Sequence, residues 1–529
     1  MAGFLLYKKH IISSAASKDM SALVLNLCSP ALIISSMFSD LSTISRKDVG
    51  LVALIGVLCF AFLIILGYAL TKILRVPVSQ KEAYILMTVF GNLGFIGLPV
   101  ACLLYTSYGI EDAIEFAKML DGKVDLIHVS ATSFRDVNSG CRMFPSAFLP
   151  HGVNVYLAEA IKKHVKTPIA TVGALSDPAE MEDIIASGKA DVIYVGRQIL
   201  ADPEFPNKAK AGRFDEVRPC VRCNHCLSLD FVPYVDMCSG ISQCVVNPEV
   251  GRDLKEGMYQ PKPQPKKVLV IGGGPGGMQA ALKAEEQGHE VILVEKADRL
   301  GGMLNVAVHD VSFKEDLGSY LQYLIRMVER KAIQVRLNTT ATPELIREIA
   351  PDTVVCAVGA EPIIPRIPGV DRENVVKVTQ LRDPDLKFGE KVVVIGGGLV
   401  GCEEGLALAM EGKDVTVLEM QDKLAPDAPI LHLKAMMLEY EKRTENLHPY
   451  TEVTVTSIED DGVHAKDKDG KEVIYPADTV LLSVGMRSKI DEVEKLRTND
   501  AEFITVGDCI KPGKILQAVS GGYFAGKYA

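Results

Sequence analysis

Hydrophobic and polar positions divide this chain into two regimes that meet near residue 107. Before that point three stretches carry no Asp, Glu, Lys or Arg: Met20 to Ser39, Val49 to Thr71 and Ala83 to Ile110. A helix needs about 20 residues to cross roughly 30 Å of hydrocarbon, so each run is long enough and three membrane spans are predicted. Pro30 interrupts the first span, and GNLGFIGLP, Gly91 to Pro99, puts three glycines and a proline into the third. Such breaks mark either a binding site facing protein or water, or close helix packing through small residues. From residue 108 the rhythm changes. KVDLIHVS (123–130), TPIATVG (167–173) and ADVIYVG (190–196) are short apolar runs rich in β-branched residues. Amphipathic helices precede them near 111–120, 154–165 and 178–187, which predicts buried parallel strands with crossover helices.

Further on, motifs outweigh periodicity. CVRCNHC separates Cys220, Cys223 and Cys226 by two residues each, and Cys244 in QCVVNPE, or Cys238, is available as a fourth thiol. Four thiolates suit either zinc or a [4Fe–4S] cluster. Disulfides are not expected in a chain that otherwise reads as cytosolic and nucleotide-binding. YQPKPQPKK (259–267) is a Pro- and Lys-rich linker. Directly after it, KKVLVIGGGPGG forms a strand and a glycine triad, Gly272, Gly274 and Gly277, followed by a helix and a second strand, VILVE, that ends at Glu295. Glycines at this spacing let backbone approach a pyrophosphate at a helix N-terminus, and the terminal acid takes the ribose hydroxyls. The device recurs in KVVVIGGGLVG, with Gly396, Gly398 and Gly401, and VTVLE ending at Glu419. Each acid lies equally far beyond its last glycine, so two dinucleotides are predicted.

Composition then sets bounds. A chain of 529 residues holds three or four domains at about 150 residues each. Net charge is -10, so nothing in the charge balance suggests a nucleic-acid-binding surface.

Several segments resemble known families. Residues 1–101, with the Asn-x-Gly-Phe-x-Gly-x-Pro stretch starting at Asn92, resemble part of an auxin-efflux-carrier permease. The three strand–helix units of 108–219 resemble the last three units of the flavin barrel of the old-yellow-enzyme family. That resemblance implies an FMN phosphate held after the last strands, at Gly173 and Gly196 with Arg197 as the charge. In the related barrel-plus-flavoprotein group the cysteine motif holds a [4Fe–4S] cluster, which implies Cys220, Cys223, Cys226 and Cys244 as ligands. ADRLGGM after Glu295, which contains Gly302, and FITVGDC, which contains Asp508, resemble FAD signatures of disulfide-reductase-like flavoproteins. TVVCAVGAEP (353–362) and TVLLSVGMRS (479–488) resemble the strands that cross between the two domains of that family. FAD then belongs with the first fingerprint and a nicotinamide with the second, and Glu419 favours NADH over NADPH by repelling a 2′-phosphate.

Together, residues 108–529 resemble the NADH:flavin oxidoreductase, 2-enoate reductase and 2,4-dienoyl-CoA reductase family. The fold expected is α/β: an incomplete (β/α)8 barrel, then two Rossmann-like domains, preceded by about three transmembrane helices. The expected segments are 1–101 (membrane), 102–107 (junction), 108–219 (barrel end), 220–258 (cluster), 259–267 (linker), 268–385 (FAD unit), 386–495 (NAD unit) and 496–529 (FAD return). The implied electron path is NADH to FAD to [4Fe–4S] to FMN to an activated C=C bond of an unsaturated acid or acyl-CoA. Residues 108–529 are expected in the cytoplasm and 1–101 in a membrane; self-association is left open. The loop after the first barrel strand offers His151 without a recognisable acid–base partner, so no catalytic residue is named.

The junction has its own reading. Three spans with a cytoplasmic redox unit would put Lys8, Lys9, Lys18, Lys72, Arg75 and Lys81 outside, against Arg46 and Lys47 inside, which inverts the usual positive-inside bias. CLLYTS (102–107) resembles a translated frame of a transposon-end sequencing adapter. The expectation is an artificial join of two unrelated polypeptides, with the redox part lacking most of its barrel.

Overall fold

A computed structural model of the chain describes residues 109–529 apart from 132–136, 228–242, 252–263, 309–310, 382, 384 and 499. The expected membrane spans, the junction at 102–107, Cys238 and the first part of the linker lie outside the described residues. Among the described residues no helix is long and apolar enough to cross a membrane. Ile110–Ala529 form one compact unit.

The barrel-like piece contributes three parallel strands, β1 (Ile127–Val129), β2 (Ile169–Thr171) and β3 (Val192–Ile193), in that spatial order. Helices Ile110–Leu120, Val155–Lys162 and Pro178–Ala186 accompany them. Asp177 starts the last of these by accepting from Ala179 N at 2.9 Å, with Pro178 supplying the preset φ of a first helical residue. The strands are shorter than the apolar runs predicted them to be. Only β2 has neighbours on both sides, and it is fully buried, whereas Val192 on the β3 edge is 38% exposed. An eight-stranded barrel has no such edges.

Two five-stranded parallel sheets dominate the rest. The first sheet uses β4 (Lys267–Ile271), β5 (Glu290–Val294), β6 (Ile333–Arg336) and β7 (Thr353–Cys356), closed by β18 (Glu502–Thr505) from near the C-terminus. Its order is β18-β7-β4-β5-β6. The second contains β9 (Val375–Lys377), β10 (Lys391–Ile395), β11 (Asp414–Leu418), β12 (Leu447–Tyr450) and β16 (Thr479–Leu482) in the order β12-β11-β10-β16-β9. KVLVI and KVVVI are continuous apolar runs because their strands are central and covered on both faces, with Leu269, Val270, Val393 and Val394 wholly buried. A three-stranded antiparallel sheet, β13 (Thr454–Glu459), β14 (Gly462–Lys466) and β15 (Glu472–Tyr475), lies within the second half. The chain passes between the two halves through β8 (Ala360–Pro362) and β17 (Met486–Ser488), which pair antiparallel and so stitch the crossings together.

The C-terminal helix, Ile515–Tyr528, packs along the first fingerprint helix, Pro275–Gln287. The contact is backbone on backbone. A Cβ at Gly522 would fall 2.1 Å from Gly276 O, and one at Gly526 would fall 2.2 Å from Ala280 O. Both helices are thereby held closer than side chains allow. Gly526→Ala is expected to lower stability by about 1–3 kcal/mol, the usual cost of overpacking, seen as a lower melting temperature in calorimetry.

Candidate cofactor sites

The two glycine loops are built alike, atom for atom in their key contacts. Gly272 (φ 104°) and Gly396 (φ 108°) make the tight strand-to-helix turn in the left-handed region, pressed against the carbonyls of Ala357 and Ser483. Gly277 and Gly401 lie so close to the first glycine of each triad that a Cβ would fall 1.9 and 2.0 Å from its carbonyl oxygen. The middle glycines differ. A Cβ at Gly274 or Gly398 would meet no atom within 4 Å, so both face open space at the start of a helix. That opening, with free N–H groups and the positive end of the helix dipole, fits a pyrophosphate. Glu295 and Glu419 directly follow the adjacent strands β5 and β11, each buried. Glu295 accepts from Gly273 N at 2.6 Å and Ala297 N at 2.8 Å; Glu419 accepts from Gly397 N at 2.7 Å and Gln421 N at 2.8 Å. Each acid is thus held at its own glycine loop, leaving further lone pairs for ribose hydroxyls.

The first cradle has two additions. Gly302 (φ 53°) brings the ADRLGGM loop over the triad, since a Cβ there would lie 3.0 Å from Gly274 Cα. Asp508 follows β18 in a turn whose Val506 packs on Gly276. Its carboxylate accepts from Gly513 N at 3.0 Å, and burial raises its pKa above the ordinary value.

Cys220, Cys223, Cys226 and Cys244 line one cavity together with Arg197 and Asn224. The converging geometry comes from Arg222 (φ 47°) and Asn224 (φ 58°), whose left-handed backbones turn the CVRCNHC segment on itself. Burial pushes all four thiols above their ordinary values, Cys226 to about 12, and neighbouring sulfurs add to the effect at Cys220, Cys223 and Cys226. Four sulfurs so placed are poor thiolates on their own and fit a group that supplies positive charge. The cysteine loop is also part of the first cradle's structure. Val246 shares a buried core with Met278 and Tyr320, and Cys220 and Cys244 pack against it.

The expected phosphate residues sit at neighbouring strand ends. Gly173 (φ 144°) closes β2, where any Cβ would press on Asn154, and Gly196 precedes the short helix Arg197–Ala201 after β3. Arg197 is turned toward the cysteines: Nη1 donates to Pro145 O at 2.8 Å and to Asn224 Oδ1.

Two buried polar clusters escaped the sequence reading. His151, which had no recognisable partner in the sequence, meets Asp316 Oδ1 at 2.9 Å across 165 residues, and Arg222 pairs with the other Asp316 oxygen. At a second place Lys314 and His432 flank Glu403 on the second fingerprint helix, with His432 Nε2 3.3 Å from its carboxylate. Phe148 of the barrel piece packs over Phe313 and His432 there, at 4.9 and 4.8 Å between ring centres. Burial opposes the charge on Glu403, yet Lys314 and His432 outweigh it and hold the carboxyl down to about 2. No local signal marks either cluster, because each is assembled from distant segments.

Comparison with known proteins gives these sites a context. Residues 266–514 match the family model for pyridine nucleotide-disulphide oxidoreductases, and residues 104–216 match that of the NADH:flavin oxidoreductase / NADH oxidase family. Residues 1–118 match the family model for membrane transport proteins. Residues 108–529 resemble the NADH:flavin oxidoreductases. An NADH oxidase of Thermoanaerobacter brockii is 39% identical over 421 residues, covering 78% of this chain and 63% of its own length. A cinnamate reductase of Clostridium sporogenes is 33% identical over 427 residues, covering 79% of this chain and 61% of its own. A solved complex of 2-naphthoyl-CoA reductase with 2-naphthoyl-CoA aligns with a TM-score of 0.73 and 31% identity, over 79% of this chain and 62% of that one. The chain therefore spans less than two thirds of the length of these relatives.

Two outcomes test the geometry. Gly274→Ala is expected to leave the unfolding free energy of the cofactor-free protein unchanged to within about 0.5 kcal/mol while lowering retention of any flavin dinucleotide bound at this loop. Gly277→Ala should fail to give a folded first half, because its Cβ has nowhere to go; flavin titration and calorimetry separate the two. The second outcome concerns pH. Burial opposes charge on His151, but the Asp316 bond outweighs it and raises the pKa. The resulting stabilisation is complete below the unfolded value of about 6.5 and is lost as pH rises through the higher folded value. Asp316 is shifted the other way: burial opposes its charge, but His151 and Arg222 lower its pKa, so its contribution fades only on acidification. The stability gap between the wild type and His151→Gln should be on the order of 1 kcal/mol near pH 5–6 and shrink toward pH 8.

Proposed function

We propose that residues 108–529 form the NADH-oxidising, electron-delivering part of a flavin and iron–sulfur oxidoreductase whose family reaction reduces an activated C=C bond. The observation that carries this reading is the pair of matching glycine cradles, with a four-cysteine cavity packed against the core of the first. FAD belongs in the first cradle, at Gly272, Gly274, Gly277, Glu295, Gly302 and Asp508, because only that cradle has the ADRLGGM loop and the β18 turn beside it. A nicotinamide belongs in the second, at Gly396, Gly398, Gly401 and Glu419. Glu419 accepts hydrogen bonds and is anionic, so it favours the 2′-hydroxyl of NADH over a 2′-phosphate.

Cys220, Cys223, Cys226 and Cys244 hold a [4Fe–4S] cluster in this reading, and Gly173, Gly196 and Arg197 serve an FMN phosphate. A hydride brings two electrons, and a cluster supplies the means of passing them one at a time to a second flavin. Cinnamate reductase and 2-naphthoyl-CoA reductase point to an unsaturated acid or acyl-CoA as the substrate class. The match of residues 1–118 to membrane transport proteins favours a membrane-spanning segment ahead of this redox part.

The decisive measurement is the visible spectrum of the full chain, purified in detergent and titrated with NADH. Flavin and iron–sulfur absorption, bleached by NADH and re-oxidised by an artificial acceptor, is the expected result. NADPH should be at least about tenfold weaker. Absence of both chromophores would leave only a transporter fragment, and steady reduction of an enoate would show that three barrel strands suffice for a complete active site.

A further inference from the structure

A buried polar chain joins the cysteine loop to the flavin half, and none of the cofactor assignments uses it. Arg222, between Cys220 and Cys223, is 3% exposed although it carries a full charge. Its Nε donates to Asp316 Oδ2, and its Nη1 donates to the carbonyls of Leu149 and Ser146. Asp316 stands in the first turn of the helix Glu315–Glu329, and its Oδ1 meets His151 Nε2. The other ring nitrogen, Nδ1, lies 2.6 Å from the carbonyl of Ala174, next to Gly173. Both partners of this ring are acceptors, so both contacts are hydrogen bonds when His151 is protonated. One carboxylate thus serves two side chains from two other segments of the chain.

The backbone explains why this matters for the sulfurs. The left-handed turn at Arg222 is unfavourable for a residue with a Cβ and persists only where its surroundings impose it. Asn224, the other left-handed residue, is tied by its own amide to Phe144 O and by its oxygen to Arg197. For Arg222 the corresponding tie is Asp316. Without that carboxylate a buried guanidinium would face neutral carbonyls alone, and swinging the loop outward into water would relieve it.

We propose that Asp316 is a positioning residue for the cysteine loop: through Arg222 it holds the turn in which Cys220, Cys223 and Cys226 face one cavity. Its link to cluster chemistry rests on the proposed function, but the positioning itself does not. The test uses the full chain, reduced and iron-free, exposed to a maleimide and read cysteine by cysteine by mass spectrometry. In Asp316→Asn, labelling of Cys220, Cys223 and Cys226 is expected to rise roughly tenfold, as when a local opening becomes more frequent, while buried Cys356 and Cys402 stay as in the wild type. Adding Arg222→Gly should bring the slow labelling back, because glycine adopts the left-handed turn unaided and no orphaned charge remains.

After iron reconstitution, Asp316→Asn should show a shifted electron-paramagnetic-resonance signature of the reduced cluster, with unchanged flavin content. Equal labelling of the three cysteines in the wild type and Asp316→Asn would overturn the proposal. So would a parallel rise at Cys356 and Cys402, or failure of the double variant to recover. A wild type that takes up no iron would count against the cluster reading alone, since the labelling contrast needs no metal.

Discussion

Backbone pressed on backbone is the constraint from which this structure follows. At Gly277 and Gly401 the helix after each glycine loop lies so near its strand that a single carbon would collide with a carbonyl. The same closeness recurs where the C-terminal helix meets the first fingerprint helix at Gly522 and Gly526. These contacts put each helix N-terminus at the edge of a central strand with an open face beside it. The opening at that face, where the proposed pyrophosphate would sit, is therefore a consequence of packing.

Electrostatics performs the complementary task of joining halves that glycine packing leaves separate. Asp316 gathers His151 and Arg222, and Glu403 gathers Lys314 and His432. Each cluster ties one anion to two cationic or hydrogen-bonding partners from other parts of the chain. In a buried setting such an arrangement is held together because removing any member strands the others. It also makes relative placement specific, since a charge pair has a direction that apolar contact lacks. The cysteine loop, the barrel piece and the two dinucleotide halves are brought into register by such pairs.

The barrel-like piece shows the opposite condition. Its central strand is buried completely, while the β3 edge leaves Val192 and Tyr194 partly in solvent. Strand propensity and alternation placed all three strands correctly in outline, but their extent depended on neighbours. β3 is the shortest of the three, with two residues against three in β1 and β2.

Local pattern alone determined a good deal: the strand–glycine–helix–strand–acid order of both cradles, the x2 spacing of three cysteines and the alternation of the barrel units. These are legible because each rests on residues adjacent in the chain and on backbone conformations that few residue types permit. Tertiary structure decided the rest. It brought Cys244 to the other three sulfurs, gave His151 the carboxylate its sequence neighbourhood lacks, turned Arg197 toward the cysteines and set Gly522 and Gly526 against the first cradle. Long-range pairing leaves no periodic trace, because a buried ion pair needs only one residue from each segment, and which segments meet is settled by the packing of whole sheets and helices.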